Sequence, residues 1–211
     1  MSQELLKGLQ ETLGMILGAG LFTLLLGFPL GSYLALGQAH SPRIHAGINT
    51  LTQAMVSVPY LMLMILVAPL TRLITGSTVG CWAATLPLTL ACVPLFAQAT
   101  QKAFDTLPPG LIDMARSLGA NPSQIIFKVL IPEALPQLIR GFTLTLVHLA
   151  GYTAISGALG SGGLGSIAIH QGYFSLQTDY LILSALLLFL VIQLIQNTGD
   201  YLAERKNKRL R

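Results

Sequence analysis

Long runs of hydrophobic residues alternate along this chain with short stretches that carry polar and charged residues. A helix needs about 20 residues to cross the hydrocarbon core of a bilayer, and each run reaches that length. Because the runs are continuous rather than alternating in polarity, they favour helices over a β-barrel. We therefore predict an all-α membrane protein with five transmembrane helices. The spans are predicted at about 12–38, 46–70, 79–103, 133–158 and 179–202.

The composition supports this assignment. Of the residues, 53% are hydrophobic and 9% are charged, whereas a soluble domain is about 25% charged. The N-terminus has neither the basic cluster nor the cleavage site of a signal peptide, so we expect the first span to be retained. Cys81 and Cys92 would lie about 16 Å apart on one helix, which is too far for a disulfide. With no linker or internal repeat, residues 1–211 are predicted to form a single domain.

The net charge of +4 predicts membrane orientation rather than nucleic-acid binding. Five spans place the termini on opposite sides of the membrane. Ten Lys and Arg residues lie on the side of the 39–45 loop, the 104–132 loop and the C-terminal tail, against Lys7 and Arg72 on the other side. Because positive charge marks the cytoplasmic side, we expect a cytoplasmic C-terminus and an extracytoplasmic N-terminus. The ten are Arg43, Lys102, Arg116, Lys128, Arg140, Arg205, Lys206, Lys208, Arg209 and Arg211.

A short amphipathic helix is predicted in the 104–132 loop, from Leu111 to Leu118. Leu111, Met114, Ala115 and Leu118 recur at helical spacing and form one apolar face. Asp113 is expected in the first turn, where the helix dipole favours an anion.

This helix is expected to end at Gly119 in a left-handed conformation. Asn121, Pro122 and Gln124 follow in the pattern of a capping box with proline at the first helical position. They predict a second short helix that runs to Ile131, before the fourth span. Since short helices are marginal in water, the segment either packs on its own bundle as a re-entrant loop or docks into a soluble partner. Helix periodicity does not choose between the two.

The same loop resembles the EAA loop of ABC importer permeases. The family pattern is Glu-Ala-Ala, three residues, Gly, nine residues, then Ile-x-Leu-Pro. Asp113-Met114-Ala115, Gly119 and Val129-Leu130-Ile131-Pro132 match its spacing throughout. Asp113 keeps the negative charge of the family's Glu, and the other replacements are apolar.

Two further stretches, 132–152 and 157–168, extend the resemblance to the methionine-uptake permeases of this superfamily. The resemblance implies a type I ABC importer permease fold, placed among the lipids of a bacterial inner membrane. It also implies a homodimer, two ABC ATPase subunits and an extracytoplasmic substrate-binding protein. The coupling helix that it implies, seated in a cleft of each ATPase, comprises Leu111, Ile112, Asp113, Met114, Ala115, Arg116, Ser117, Leu118 and Gly119.

The chain has no Gly-x-x-x-x-Gly-Lys-Ser/Thr motif and so no P-loop for a nucleotide. ATP and Mg²⁺ would be used by the partner ATPase, and this chain is predicted to be a transport subunit without a cofactor rather than an enzyme. Ionisable residues are scarce in the spans, which argues against an ion-coupled secondary transporter. Because EAA loops are shared among ABC importers, a permease for another amino acid or small solute remains an alternative.

Polar residues line one face of the fourth span at Thr145, His148, Tyr152 and Ser156. Polar side chains within a membrane usually face a bundle interior or a wet cavity. The stripe therefore either borders the translocation pathway or forms an interhelical hydrogen-bond seam. No second ligand accompanies His148 at metal-binding spacing, so we predict no metal site.

A second polar stripe precedes Pro59 in the second span, at Asn49, Gln53 and Ser57. Ser57 is taken as a further candidate for the pathway. A contact between the subunits of a dimer and packing between helices are the alternatives.

Glycines are concentrated at 160–165, where Gly-Ser-Gly-Gly-Leu-Gly satisfies a dinucleotide-binding pattern in its letters only. The segment follows a membrane span rather than a strand, so we do not expect a nucleotide site. We interpret it as a flexible outer loop that helps to gate the outer mouth. The pairs Gly14/Gly18 and Gly27/Gly31 predict close helix packing along the first span.

Overall fold

The computed structural model describes residues 2–36 and 41–206, and the described chain is helical apart from short turns. The end of the predicted first span, residues 37 and 38, lies outside the described residues, as do Lys208, Arg209 and Arg211 of the basic tail. The α-helices are α1 (Ser2–Leu36), α2 (Pro42–Ser57), α3 (Tyr60–Thr75), α4 (Cys81–Asp105), α5 (Pro109–Ser117), α6 (Pro122–Gln124), α7 (Ile131–Ser156), α8 (Gly163–Ser166) and α9 (Thr178–Lys206). π-helical turns cover Ile125–Leu130, Gly157–Ser161 and Ile167–Phe174.

Among residues 2–36 and 41–206, four helical segments are long and apolar enough to cross a membrane, namely α1, α4, Pro122–Ser161 and α9. Helices α2 and α3 together form a fifth candidate, which is bent by 109°. The predicted all-α membrane fold is confirmed. The first helix starts at Ser2 rather than near residue 12, because its polar beginning packs on the segment that follows α7.

The second predicted span, 46–70, is wrong as a continuous helix. Helix α2 ends at Ser57, Val58 is extended (φ −76°, ψ 123°), and α3 starts at Tyr60. Pro59 explains the break, because a proline disfavours helical backbone in the residue before it and cannot donate a helix hydrogen bond. The bend separates the polar stripe of α2 from the apolar helix α3.

The predicted boundary between a second short helix and the fourth span is also wrong. Residues Pro122–Ser161 form one continuous 40-residue segment through the π-helical turn Ile125–Leu130. Pro132 has no amide hydrogen for the carbonyl of Lys128, and the widened turn lies at that carbonyl. The chain therefore passes Pro132 without ending the helix.

Helix α1 packs closely on α4 through the second of its two predicted glycine pairs. A Cβ at Gly27 would lie 3.0 Å from the carbonyl oxygen of Val93, and one at Gly31 would overlap that of Ala97. A Cβ at Gly14 has no atom of the described residues within 4 Å, so the first pair does not provide a comparable contact. Close packing is confirmed for Gly27 and Gly31 only.

Within the described residues, buried side chains form two clusters at different levels of the bundle. The central cluster contains Met15, Ile16, Ala19, Tyr60, Met64, Ala84, Leu88, Cys92, Leu149 and Ala150. The second, here called the α5 cluster, lies where α1 and α4 end and α5 begins. It contains Ala103, Phe104, Leu107, Ala115, Ile125, Leu130, Ala134 and Leu138.

Candidate functional site

Helix α5 begins earlier than predicted, at Pro109, after an extended Pro108 (φ −57°, ψ 130°). Proline is well suited to a first helical position, because its fixed φ is already helical. Asp113 consequently lies in the second turn, and the prediction that it occupies the first turn is wrong. Its carboxylate is exposed and lies 4.0 Å from Nη1 of Arg116, one turn further on.

The predicted apolar face of α5 is divided between the protein core and the surface. Ala115 is buried in the α5 cluster, and Leu111 and Ile112 pack against that cluster. Met114 is 58% exposed and Leu118 is 81% exposed. One part of the face thus anchors the helix to the bundle, and another part is presented to the surroundings.

The C-terminus of α5 is closed by a Schellman motif. The amide of Ala120 donates to the carbonyl of Ala115 at 3.1 Å, and the amide of Gly119 donates to that of Arg116 at 2.9 Å. Gly119 has φ +80°, a left-handed conformation that an L side chain adopts only with strain. The predicted conformation of Gly119 is confirmed.

The predicted capping box at the start of α6 is also present. The Gln124 amide donates to Oδ1 of Asn121 at 2.8 Å, and the Asn121 amide donates to Oε1 of Gln124 at 3.0 Å. A tight turn between two capped helix ends therefore holds α5 at a defined angle to the long segment that follows.

Two residues of the predicted polar stripe on α7 meet a third residue on α3. The rings of Tyr152 and Tyr60 stack with centroids 4.5 Å apart and an interplanar angle of 9°. The hydroxyls of Tyr60 and Ser156 are hydrogen-bonded to each other. Tyr60 also donates to Sδ of Met64 at 3.6 Å. This group forms an interhelical polar seam at the level of the Pro59 bend.

The other two stripe residues do not join this seam. Thr145 is buried and donates to its own helix, to the carbonyl of Gly141 at 2.8 Å. His148 is exposed, and its ring centroid lies 6.5 Å from that of Tyr152. Helical spacing alone placed the four residues on one face, but the neighbouring helix α3 covers only part of it.

The polar stripe of α2 is largely uncovered. Gln53 and Ser57 are exposed and Asn49 is half-buried. Ser57 donates to the carbonyl of Gln53 at 3.0 Å, a bond within its own helix. Within the described residues, this face does not pack against another helix through Ser57.

The glycine-rich segment after α7 is a packed helical hairpin, and the prediction of a flexible loop is wrong. We call residues 157–174 the hairpin. It turns at Gly160, Gly162 and Gly163, which have φ of +93°, +80° and +78°. A Cβ at Gly157 would overlap the amide of Ser166, so the two arms of the hairpin are in direct backbone contact.

Helix α1 holds the tip of the hairpin through residues that the sequence analysis did not single out. The Gly163 amide donates to Oε2 of Glu11 at 2.7 Å, and the Leu164 amide donates to Oγ1 of Thr12 at 2.9 Å. These amides begin a helix, where a carboxylate is a favourable partner. A glutamate 152 positions away in the chain gives no local signal of this role.

The described structure bears on three kinds of site considered from the sequence, namely a metal site, a disulfide and a dinucleotide loop. Within residues 2–36 and 41–206, no three His, Cys, Asp or Glu side chains are placed to hold a metal ion. Cys81 and Cys92 are both free. The glycines of 160–165 follow a helix, which excludes the strand-turn-helix context of a dinucleotide site.

Comparison with known proteins relates this arrangement to transport. Residues 27–209 match the family described as binding-protein-dependent transport system inner membrane component. A probable D-methionine transport system permease protein MetI of Vibrio cholerae is 38% identical over 99% of this chain and 94% of its own length. The methionine import system permease protein MetP of Bacillus subtilis is 40% identical over 72% of this chain and 69% of its own length.

Solved structures of ABC transporters are also similar to this chain. A chain of the MetNI methionine ABC transporter, in an inward-facing conformation, superposes with a TM-score of 0.95 at 34% identity, covering 99% of this chain and 98% of that one. An amino acid ABC transporter gives a TM-score of 0.76 at 19% identity and supports the fold alone.

Proposed function

Because this chain belongs to the family of binding-protein-dependent transport system inner membrane components, we propose that it is the permease subunit of an importer for methionine. Family membership confirms the predicted class, a multi-pass transport subunit of the inner membrane that is not itself an enzyme. Methionine is supported by relatives that carry it in their names and align with almost the whole chain.

In this proposal, residues 111–119 form the helix through which a separate ATPase drives the permease. The observation that supports this role is that the apolar face of α5 is partly buried against the bundle and partly exposed. Leu111 and Ala115 fix the helix to the bundle, while Met114 and Leu118 remain exposed on another part of the same face. Exposed apolar side chains on a rigidly capped helix are suited to insertion into a protein cleft. Two ATPase subunits, which use ATP and Mg²⁺, would be bound by two copies of the chain.

The proposed orientation places α5 in the cytoplasm and the N-terminus on the extracytoplasmic side. Lys102, Arg116 and Lys128 lie at the α5 end of the described bundle, whereas Lys7 and Arg72 lie at the opposite end. The positive-inside rule favours this arrangement. The hairpin would then face the extracytoplasmic side, where a substrate-binding protein delivers the solute.

The translocation pathway is proposed to form between two copies of the chain, along faces that a single copy leaves uncovered. Ser57 and His148 are exposed on such faces. Tyr152 and Ser156 lie further along α7 than His148, where they contact Tyr60 next to the Pro59 bend. Thr145 is 3% exposed, so it would reach the pathway only after helix α7 moves.

Uptake of labelled L-methionine by cells that lack or regain the chain tests the proposed function. The cells must lack any other methionine carrier, and unlabelled D-methionine and other amino acids serve as competitors. We expect uptake that depends on the chain and is suppressed by methionine. Chain-dependent uptake that another solute suppresses instead would keep the permease class and reject methionine.

Co-purification tests the proposed partner. The chain extracted in detergent should bring an ABC ATPase subunit with it, in equal amount. A chain that is folded and abundant but never carries an ATPase would contradict the coupling role of α5.

A further inference from the structure

A groove of about 510 Å³ lies between α1, α4, α7 and α9, and we call it the inner groove. On α7 its lining runs from Ile131 to Leu146, a helical length of about 22 Å. On α9 its lining runs from Leu194 to Leu202, close to the end of that helix. In the proposed orientation Ile131 and Leu202 lie toward the cytoplasm, so the inner groove begins at the cytoplasmic side of the membrane.

The lining of the inner groove suits a hydrocarbon chain. Its side chains are apolar except for those of Thr143 and Thr198. Thr143 donates to the carbonyl of Ile139 at 2.8 Å, and Thr198 donates to that of Leu194 at 2.6 Å, each within its own helix. A carboxylate or a peptide carbonyl would find no free side-chain donor there, whereas a hydrocarbon chain needs none.

The inner groove faces away from the proposed translocation pathway. Leu135 lines the groove, and the exposed Leu144 and His148 lie about 180° and 140° around α7 from it. The pathway and the contact with a second copy are proposed on the side of His148. Helix α9, which forms another wall, has only 6% of its most apolar stretch buried. The inner groove therefore opens toward the bilayer.

Two basic residues follow the inner groove at its cytoplasmic end. Arg205 and Lys206 lie about 20° and 80° around α9 from Thr198, on the side that lines the groove. The acidic Asp200 and Glu204 lie about 160° and 120° from Thr198, on the other side of the helix. Arg205 and Lys206 are exposed, and neither forms an ion pair with another of the described residues. The groove thus ends at a surface that suits an anion.

Other charges near this end are compatible with an anionic ligand. Glu133 lies about 160° around α7 from Leu135, on the far side of that helix. Lys and Arg residues that directly follow a transmembrane helix on the cytoplasmic side attract anionic lipid headgroups. The sequence adds three more of them after Lys206, namely Lys208, Arg209 and Arg211.

We infer that the inner groove is a binding site for an anionic phospholipid of the cytoplasmic leaflet, with one acyl chain in the groove and the headgroup phosphate at Arg205 and Lys206. A cavity of about 150 Å³ holds benzene, and the inner groove has more than three times that volume, so it has room for a longer chain. The inference rests on the proposed orientation but not on the identity of the solute. The bound chain would supply the packing contacts that α1 and α9 leave open on α7.

Fluorescence quenching by brominated lipids is the first test. Trp82 is the single tryptophan, so Trp82→Phe combined with Leu202→Trp places one reporter at the cytoplasmic end of the inner groove. The full chain is reconstituted in phosphatidylcholine vesicles with a small, equal fraction of brominated phosphatidylglycerol or brominated phosphatidylcholine. We expect the anionic lipid to associate at this reporter at least threefold more strongly. Ile182→Trp, near the other end of α9 and outside the groove, should show no preference.

Removal of the two basic residues is the second test, and it leaves the groove itself unchanged. Arg205→Gln with Lys206→Gln should abolish the preference for the anionic lipid, and Arg205→Lys with Lys206→Arg should keep it. The matched control is Arg43→Gln with Lys102→Gln. It removes the same charge from the same side of the membrane, from residues that do not line the groove, and it should also keep the preference.

Filling the inner groove is the third test. Thr198→Phe places a larger side chain in the groove from α9, and Asn197→Phe is the control, since Asn197 is exposed and does not line the groove. We expect Thr198→Phe to reduce the preference of the Leu202→Trp reporter for the anionic lipid at least twofold, and Asn197→Phe to leave it unchanged.

Three outcomes would overturn the inference. Equal association of both lipids at the Leu202→Trp reporter would show that the groove accepts any acyl chain. A reporter that neither lipid quenches, while Ile182→Trp is quenched, would show that protein such as a second copy covers the groove. A preference that persists without Arg205 and Lys206, or that the control pair abolishes as well, would reject their role in binding the headgroup. None of these measurements uses methionine, so the proposed function is tested separately.

Discussion

Each end of this bundle carries a short helical segment between longer helices, and different interactions hold the two segments in place. At one end, α5 is fixed by local hydrogen bonds, a Schellman motif at Gly119 and a capping box at Asn121. At the other end, the hairpin is fixed by partners distant in sequence, with Glu11 and Thr12 bonded to its tip.

The difference follows from what each segment presents. Helix α5 leaves Met114 and Leu118 exposed, so its own caps must keep it helical while a partner is absent. The hairpin buries Gly157 and Gly165 against neighbouring backbone and Gly163 against the side chains of Thr12 and Met15 in α1, and its conformation depends on that packing. The ends of α5, the helix proposed to dock, are thus closed by local hydrogen bonds in addition to its packing on the α5 cluster, whereas the hairpin keeps its conformation through tertiary contacts.

The largest effect is expected where the hairpin meets α7. A Cβ at Gly165 would overlap backbone atoms of Ala154, which cannot move aside as a side chain can. Gly165→Leu should therefore destabilise the fold by at least about 3 kcal/mol and abolish recovery of monodisperse protein. Size-exclusion chromatography of a fluorescent fusion in detergent measures this recovery.

The matched control for this change is Gly151→Leu on the same helix α7. In the described part of the chain, no atom lies within 4 Å of a Cβ at Gly151, so this variant should behave as the wild type does in detergent. Equal recovery of both variants would show that the hairpin does not depend on close backbone packing.

At the α5 end, the corresponding glycine change should act locally. Gly119 has φ +80°, and none of the residues that the structure describes comes within 4 Å of a Cβ there. Gly119→Val therefore adds backbone strain of about 1–3 kcal/mol without a clash. We expect the chain to insert and stay monodisperse but to lose most of the co-purifying ATPase.

Two controls accompany Gly119→Val. Gly110→Val carries the same change at a glycine without positive φ and with open space, and it should retain more ATPase. Gly119→Asn, which tolerates left-handed backbone, should restore most of the binding. Normal ATPase assembly in Gly119→Val would contradict the role given to the capped helix.

These comparisons show which features of the structure can be predicted from the sequence. The all-α membrane fold, the ending of α5 at Gly119 and the capping box were predictable because they depend on continuous apolar runs and on residues a few positions apart. The hairpin was interpreted as a flexible loop because its glycines serve contacts with α1 and α7, which no local pattern records. Tyr60 was missed for the same reason, since its partner Ser156 lies 96 positions away.

A smaller effect is expected when the exposed part of α5 is made polar. Leu118→Asp replaces a side chain that is 81% exposed, so the fold should be unchanged. If this residue inserts into an ATPase cleft, the affinity for the ATPase should fall at least tenfold, about 1.4 kcal/mol. Binding of purified chain to the ATPase subunit in detergent gives the value.

Ser123→Asp is the control for this substitution, since Ser123 is exposed beyond the end of α5. It adds the same charge to the same surface of the chain but outside the proposed cleft. A loss of affinity that is equal in both variants would indicate a general charge effect rather than insertion of Leu118.

The smallest effect is expected from removing the negative charge of Glu11, the residue of α1 that accepts a hydrogen bond from the hairpin. Glu11→Gln keeps an oxygen that accepts from the Gly163 amide, so only the charge is lost, and charged hydrogen bonds are roughly twice as strong as neutral ones. We expect a loss of about 1 kcal/mol, visible as a lower midpoint of thermal unfolding in detergent. Lys7 pairs with Glu11 at 4.0 Å and its side chain is 79% exposed, so Lys7→Gln should change stability by less than about 0.5 kcal/mol. If Glu11→Gln changes the midpoint no more than Lys7→Gln does, the charge of Glu11 does not stabilise the hairpin. The hairpin would then differ from the locally capped α5 through the backbone contacts of its glycines, and not through hydrogen bonds to residues distant in sequence.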